Sequence, residues 1–113
     1  MIKIVDRSIT RAELNEMAKI MFGNMVKAVV DVEQGIMAVG GELHSDEEGL
    51  LLQNGSAQKD LWGINIYPEV KGPDWIEFDS MINVRPTHNN LSRGVDDKGT
   101  QGKIIKIVSG LVQ

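Results

Sequence analysis

Trp75-Ile76-Glu77-Phe78-Asp79-Ser80-Met81-Ile82-Asn83-Val84-Arg85 alternates in character along its length, and its reading decides the architecture. A strand sends successive side chains to opposite faces. Ile76, Phe78, Ile82 and Val84 then share one face. Glu77, Asp79, Asn83 and Arg85 share the other, interrupted only by Met81. The preceding run Leu61–Tyr67 is its natural partner across the Pro68–Asp74 connection. With Tyr67 opposite Trp75, Ile66 meets Ile76 and Ile64 meets Phe78, while Asn65 meets Glu77 and Gly63 meets Asp79. One face of the pair is apolar and the other polar.

The upstream half sorts the same way. Met25–Val32 and Ile36–Leu43 flank Glu33-Gln34-Gly35 and read as a hairpin. A two-residue loop pairs positions of opposite parity, which puts Val26, Ala28 and Val30 on one side with Met37 and Val39. Lys27 then comes near Glu42 on the other side, a favourable cross-strand pair. Gly40-Gly41 lacks the spacing of a phosphate loop and reads as a bulge or a tightly packed strand stretch. Ile2–Asp6 reads as a short first strand rather than a targeting segment.

Three helices fill the gaps. Thr10 with Glu13 forms a capping box, Leu14, Met17, Ala18 and Met21 make an apolar stripe, and Gly23-Asn24 stops the helix. Ser45 reads as the cap of a second helix, with Asp46, Glu47 and Glu48 in its first turn and Leu50–Leu52 as its anchor. Asn54-Gly55 ends it; the rival reading is a strand turning on Asn54-Gly55. Thr100 caps a last helix whose stripe is Ile104, Ile107, Val108 and Leu111. The order is β-α-β-β-α-β-β-α. It predicts an α+β fold in which a mainly antiparallel sheet of about five strands carries three helices on one face.

The 113 residues fit one domain, 1–113, with no linker or repeat. Apolar content of 42% and charged content of 25% suit a globular domain, and the six Met compensate for only five aromatics. The net charge of −4, without a basic block, makes nucleic acid an unlikely partner. No apolar run approaches the roughly 20 residues that span a bilayer. The absence of Cys rules out disulfides and thiolate chemistry and fits a cytoplasmic location.

Three runs carry a resemblance: Ala38–Glu48, Leu61–Pro68 and Ile76–Pro86. Through them nearly the whole chain resembles a small family of prokaryotic proteins known as a domain of unknown function. The resemblance implies a compact cytosolic domain and carries no reaction, ligand or catalytic residue.

Three polar groups are candidates for function. Glu42, His44 and Asp46 offer carboxylates and an imidazole that could hold a divalent cation, or a base oriented by a carboxylate. Their plainer roles are pairing with Lys27, ending a strand and starting a helix. The second group is Arg85, His88, Asn89, Asn90 and Arg93. Arginine offers a planar fork for phosphate or carboxylate, and Asn both donates and accepts; the plainer role is a solvated turn. The third group is Glu77, Asp79, Asn83 and Arg85, a polar sheet face that could bind a cation or simply meet water.

Together these give a ligand site at Asp79, Asn83, Arg85, Asn90 and Arg93 for a small anionic or polar molecule. His44 or His88 would move a proton, and Glu42, His44 and Asp46 would hold a metal. The residues identify no cofactor and no reaction. The competing expectation is an interaction module or homo-oligomer, burying an exposed sheet face that contains Val29, Ile36, Tyr67, Trp75 and Met81.

Overall fold

The computed structural model describes residues 1–113 and contains five antiparallel strands and three α-helices. The strands are β1 (Lys3–Val5), β2 (Val26–Asp31), β3 (Ile36–Gly41), β4 (Leu61–Ile66) and β5 (Ile76–Glu77). Their order across the sheet is β1-β3-β2-β4-β5. The helices are α1 (Arg11–Met21), α2 (His44–Gln53) and α3 (Lys98–Leu111). The α+β class and the element order match the expectation from sequence.

The first hairpin has the expected parity: Val30 faces Met37 and Ala28 faces Val39. Val26, Ala28, Val30, Met37 and Val39 all enter the main core. Asp31 organises the turn. It is fully buried, yet its carboxylate accepts the Glu33 and Gln34 N–H groups, each at 2.9 Å, and the Ser56 hydroxyl at 2.6 Å. A bulge follows, because the register slips between Lys27 and Ala28 and Gly40 takes a left-handed φ of +90°. Lys27 therefore lies opposite Gly41 rather than beside Glu42, and its ammonium sits 5.1 Å from the centroid of the Phe22 ring.

The helices occupy both faces of the sheet, a correction to the single-sided arrangement. α1 and α3 bring Leu14, Ala18, Ile104 and Val108 onto Ala28, Val30, Ile64 and Ile66. On the opposite face α2 brings Leu51 onto Val29, Ala38 and Leu61. The cause lies in β2, where Ala28-Val29-Val30 places apolar side chains on both faces in succession. Such a strand must be covered on both sides.

Capping follows local chemistry, with two shifts. Thr10 Oγ1 accepts the Glu13 N–H at 3.0 Å, as the capping box requires. α3 starts earlier than expected: Asp97 is its cap, and its carboxylate accepts both the Thr100 N–H at 2.8 Å and the Thr100 hydroxyl at 2.9 Å. α2 begins at His44 after Leu43, which has no polar side chain to offer, so Ser45 sits inside the first turn and not at the cap.

The largest correction concerns Trp75–Arg85. Its register is as read: Asn65 faces Glu77, Ile66 faces Ile76, and the Tyr67 N–H donates to the Trp75 carbonyl at 2.8 Å. The ladder then stops. The pairs Ile64–Phe78 and Gly63–Asp79 do not form, and Met81–Asn83 and Pro86–His88 are short 3-10 turns. Ser80 packs directly over Gly63, where an added Cβ would come within 2.5 Å of the Ser80 Cβ.

The abandoned edge of β4 is closed by side chains instead. Asn83 Oδ1 accepts the Gly63 N–H at 2.8 Å, and its Nδ2 donates to the Gly63 carbonyl at 2.9 Å. Arg85 donates to the carbonyls of Gln58 and Leu61 and stacks 4.3 Å over the Trp62 ring. Asn83 is thus fully buried rather than exposed on a polar face. Trp75 is buried as well, in the same core cluster as Trp62, with the Arg11 guanidinium 4.2 Å over its ring. Trp75 and Val29, both assigned to an interaction face, are therefore buried, Val29 fully so against α2.

Candidate functional site

Sheet register builds one row of polar side chains across three strands. Lys27 on β2 faces Asn65 on β4, and Asn65 faces Glu77 on β5. The row lies on the α2 face of the sheet, but α2 starts at His44 and leaves this corner uncovered. Side chains from the row, from His44 and from the segment after β5 enclose a cleft of about 460 Å3.

His44 forms the inner wall. It is buried, and its Nε2 contacts the Ile64 carbonyl at 2.8 Å. A carbonyl only accepts, so Nε2 carries the proton and Nδ1 keeps its lone pair. Burial pushes the imidazole below its usual pKa of 6.5. The charges of Lys27 and Arg93 push the same way, against the Ile64 hydrogen bond and Asp79. His44 is therefore a neutral acceptor at pH 7.

Opposite it, Asp79 and Arg93 form an ion pair of 2.6 Å at the rim. Arg93 is aimed by its own backbone, since its carbonyl accepts the Ser80 N–H at 2.9 Å and the Asn83 Nδ2 at 2.9 Å. Glu77 accepts from Asn65 Nδ2 at 2.8 Å and from the Tyr67 hydroxyl at 3.1 Å. Burial raises the Tyr67 pKa above its usual value, and the hydrogen bond to Glu77 adds to the effect.

Two features are left uncommitted. Asn65 Oδ1 is buried without a hydrogen-bond partner, and Lys27 alone among the charged residues of the cleft is neither ion-paired nor hydrogen-bonded to another side chain.

Of the polar residues singled out from sequence, the cleft gathers His44, Glu77, Asp79 and Arg93. Asn83 and Asn90 lie behind it with their amides committed to backbone: Asn90 Nδ2 donates to the carbonyls of Asn83 and Gly94, each at 2.8 Å, and its Oδ1 accepts the Asp96 N–H. Arg85 is held at Trp62, and His88 is exposed in its own turn. Glu42, His44 and Asp46 do not converge, and no group of three His, Asp or Glu side chains is placed to hold a metal ion. Sequence reading missed Lys27 and Asn65 as members of the site. The signal was present in the register, because the pairing of Asn65 with Glu77 extends to Lys27 one strand further on.

Glu47, one turn along α2, is a separate dry carboxyl. It is fully buried, and its Oε2 accepts the Gly41 N–H at 2.9 Å while Oε1 has no partner. Burial raises its pKa from 4.5 to about 9, so it is neutral at pH 7. Gly41 has to be glycine here, as a Cβ would lie 2.8 Å from the Glu47 Cγ.

No helix is long and apolar enough to cross a membrane. No curated protein and no solved structure matches the chain. The chain belongs to a family described as a protein of unknown function, DUF5674, whose model matches residues 3–111.

Proposed function

We propose that the cleft binds a small polar anion that also carries a hydrogen-bond donor. The observation that carries this reading is the row Lys27–Asn65–Glu77 at an uncovered corner of the sheet. Asp79 and Arg93 neutralise one another, and Glu77 already accepts two hydrogen bonds, which leaves Lys27, held only against the Phe22 ring, as the cation without an anionic partner. Asn65 Oδ1 and the lone pair of His44 Nδ1 ask for a donor on the same molecule. Arg93 closes the rim, where its guanidinium can exchange Asp79 for a ligand oxygen. The neutral imidazole can accept a proton from a bound hydroxyl or amide, but the arrangement supports binding and orientation before any named reaction.

The test is an NMR titration of the protein with N-acetylglycine, glycolate and acetate. Shifts at Lys27, His44 and Asn65 are expected for the first two, with a roughly tenfold loss of affinity in Lys27→Met. If none of the three moves these resonances at tens of millimolar, the reading fails.

A further inference from the structure

We propose that the ligand is an amphiphile, with its anionic head in the cleft and an aliphatic tail in the apolar groove next to it. This deepens the binding reading above and rests on it. Lys27 and Leu43 line both spaces, so the polar cleft and a second groove of about 620 Å3 share one wall. The groove is otherwise formed by Met1, Ile20, Met21 and Phe22, with Glu42 at its edge.

These apolar side chains are not needed by the core. Ile20 is 81% exposed, Leu43 53% and Phe22 40%, and they stand together where α1 ends and α2 begins. Contiguous exposed apolar side chains mark a contact surface, in contrast to single ones scattered about. Lys27 stands at the junction. Its ammonium lies 5.1 Å from the Phe22 ring centroid on the groove side, and its flexible stem lets that charge swing to a head group in the cleft it also lines.

The polar groups set the direction of the occupant. Lys27 is shared by both spaces; the cleft adds Arg93, beside an Asp79 and a Glu77 that are already paired or hydrogen-bonded, whereas the groove adds only the Glu42 carboxylate, which repels an anionic head. A hydrocarbon chain gains only on the groove side. Asn65 Oδ1 adds the demand for a donor on the head, which an N-acylated amino acid and a long-chain hydroxy acid both satisfy.

N-acetylglycine and N-octanoylglycine, used below its micellar concentration, share a head and differ by six methylenes. Each methylene fully removed from water adds about fourfold in affinity. An open groove removes about half of that surface, so the octanoyl compound should bind roughly 50-fold more tightly. Its added shifts should fall on Ile20, Phe22 and Leu43. Ile20→Asn, at an exposed position, should return the octanoyl compound toward the acetyl affinity while leaving N-acetylglycine binding unchanged. Equal affinity for the two compounds would overturn the tail inference and leave the binding reading standing. Tight octanoyl binding indifferent to Ile20→Asn would overturn it too. No binding by either compound would overturn both.

Discussion

The polar stretch from Glu77 to Arg93 holds two regions built from similar side chains and put to opposite use. Asn83, Arg85 and Asn90 turn inward and act as surrogate backbone, satisfying Gly63, Leu61, Gln58 and Gly94. Glu77, Asp79 and Arg93 stay at the surface and face a cleft. The two regions meet at one atom, the Arg93 carbonyl, which accepts from Asn83 Nδ2 while its own side chain reaches Asp79. Polarity alone therefore does not mark a binding site. What separates the two is whether a side chain's hydrogen bonds end on buried backbone or on groups that water can reach.

The inward region should fail first when challenged. Asn83→Ala leaves the Gly63 N–H and carbonyl without partners and takes one donor from the Arg93 carbonyl. Each buried orphan costs about 1–3 kcal/mol, so the variant should lose about 3 kcal/mol or more in urea unfolding. Asn83→Asp should be no better at neutral pH, because it presents a charge to two carbonyls, and should recover partly in acid. A loss below about 1 kcal/mol would mean that water replaces the amide and that the β4 edge needs no seal.

Glu47 extends the contrast along α2, since it lies one turn beyond His44 on the dry side. Its folded pKa of about 9 stands above the ordinary 4.5. The neutral form is therefore favoured by folding. The stability it contributes is complete below pH 4.5 and is lost as pH rises through 9. His44 has the opposite sign: its folded pKa is depressed, so stability falls as pH drops below 6.5. The two trends oppose one another just below pH 6.5, and above it only the Glu47 slope remains. Stability should fall by about 2 kcal/mol between pH 7 and 9, where a single proton sets an upper slope of about 1.4 kcal/mol per pH unit. Glu47→Gln keeps an acceptor for the Gly41 N–H and should flatten that limb in urea titrations at each pH. An unchanged slope in the variant would place the titrating group elsewhere.

The parts of this fold that were legible in the sequence are those decided within a turn or a hairpin. The Thr10–Glu13 box, the α3 stripe, the parity of the first hairpin and the alignment of Asn65 with Glu77 all follow from local spacing. The exit of the chain after Glu77 does not. It is decided by Asn83 reaching Gly63, 20 residues away, and Arg85 reaching Gln58, 27 away. A polar side chain reads identically whether its partner is water or distant backbone. The two-sided sheet was legible in principle, because Ala28-Val29-Val30 offers no polar face, but the alternation at 75–85 drew the reading the other way. Of the cleft, His44, Glu77, Asp79 and Arg93 are legible by residue type, and Lys27 and Asn65 emerge only when register is carried across three strands.

Arg85→Lys tests the seal more gently. The guanidinium serves two carbonyls and sits 4.3 Å from the Trp62 ring centroid, whereas an ammonium is a compact charge without that fork. A loss of about 1–2 kcal/mol is expected, together with a change in Trp fluorescence. Full retention of stability would show that the 58–61 carbonyls are satisfied by water and that only Asn83 closes the edge.

The smallest effect on stability belongs to Arg93, and it separates the two regions most sharply. Arg93→Ala removes the ion pair to Asp79 but leaves the backbone carbonyl that Ser80 and Asn83 hold in place. Both side chains of that pair are about half exposed, 58% for Arg93 and 43% for Asp79. Exposed pairs of this kind contribute about 0–1 kcal/mol, so urea unfolding should move by less than about 1 kcal/mol. N-acetylglycine affinity should nevertheless drop several-fold, because the rim loses its fork. Asn83→Ala and Arg93→Ala thus act on either side of one carbonyl and should give opposite signatures, a large stability loss in the first and a binding loss at nearly unchanged stability in the second. If Arg93→Ala destabilised the fold as much as Asn83→Ala does, the outer region would be part of the seal, and the cleft would lose its claim to be anything but the outer surface of that seal.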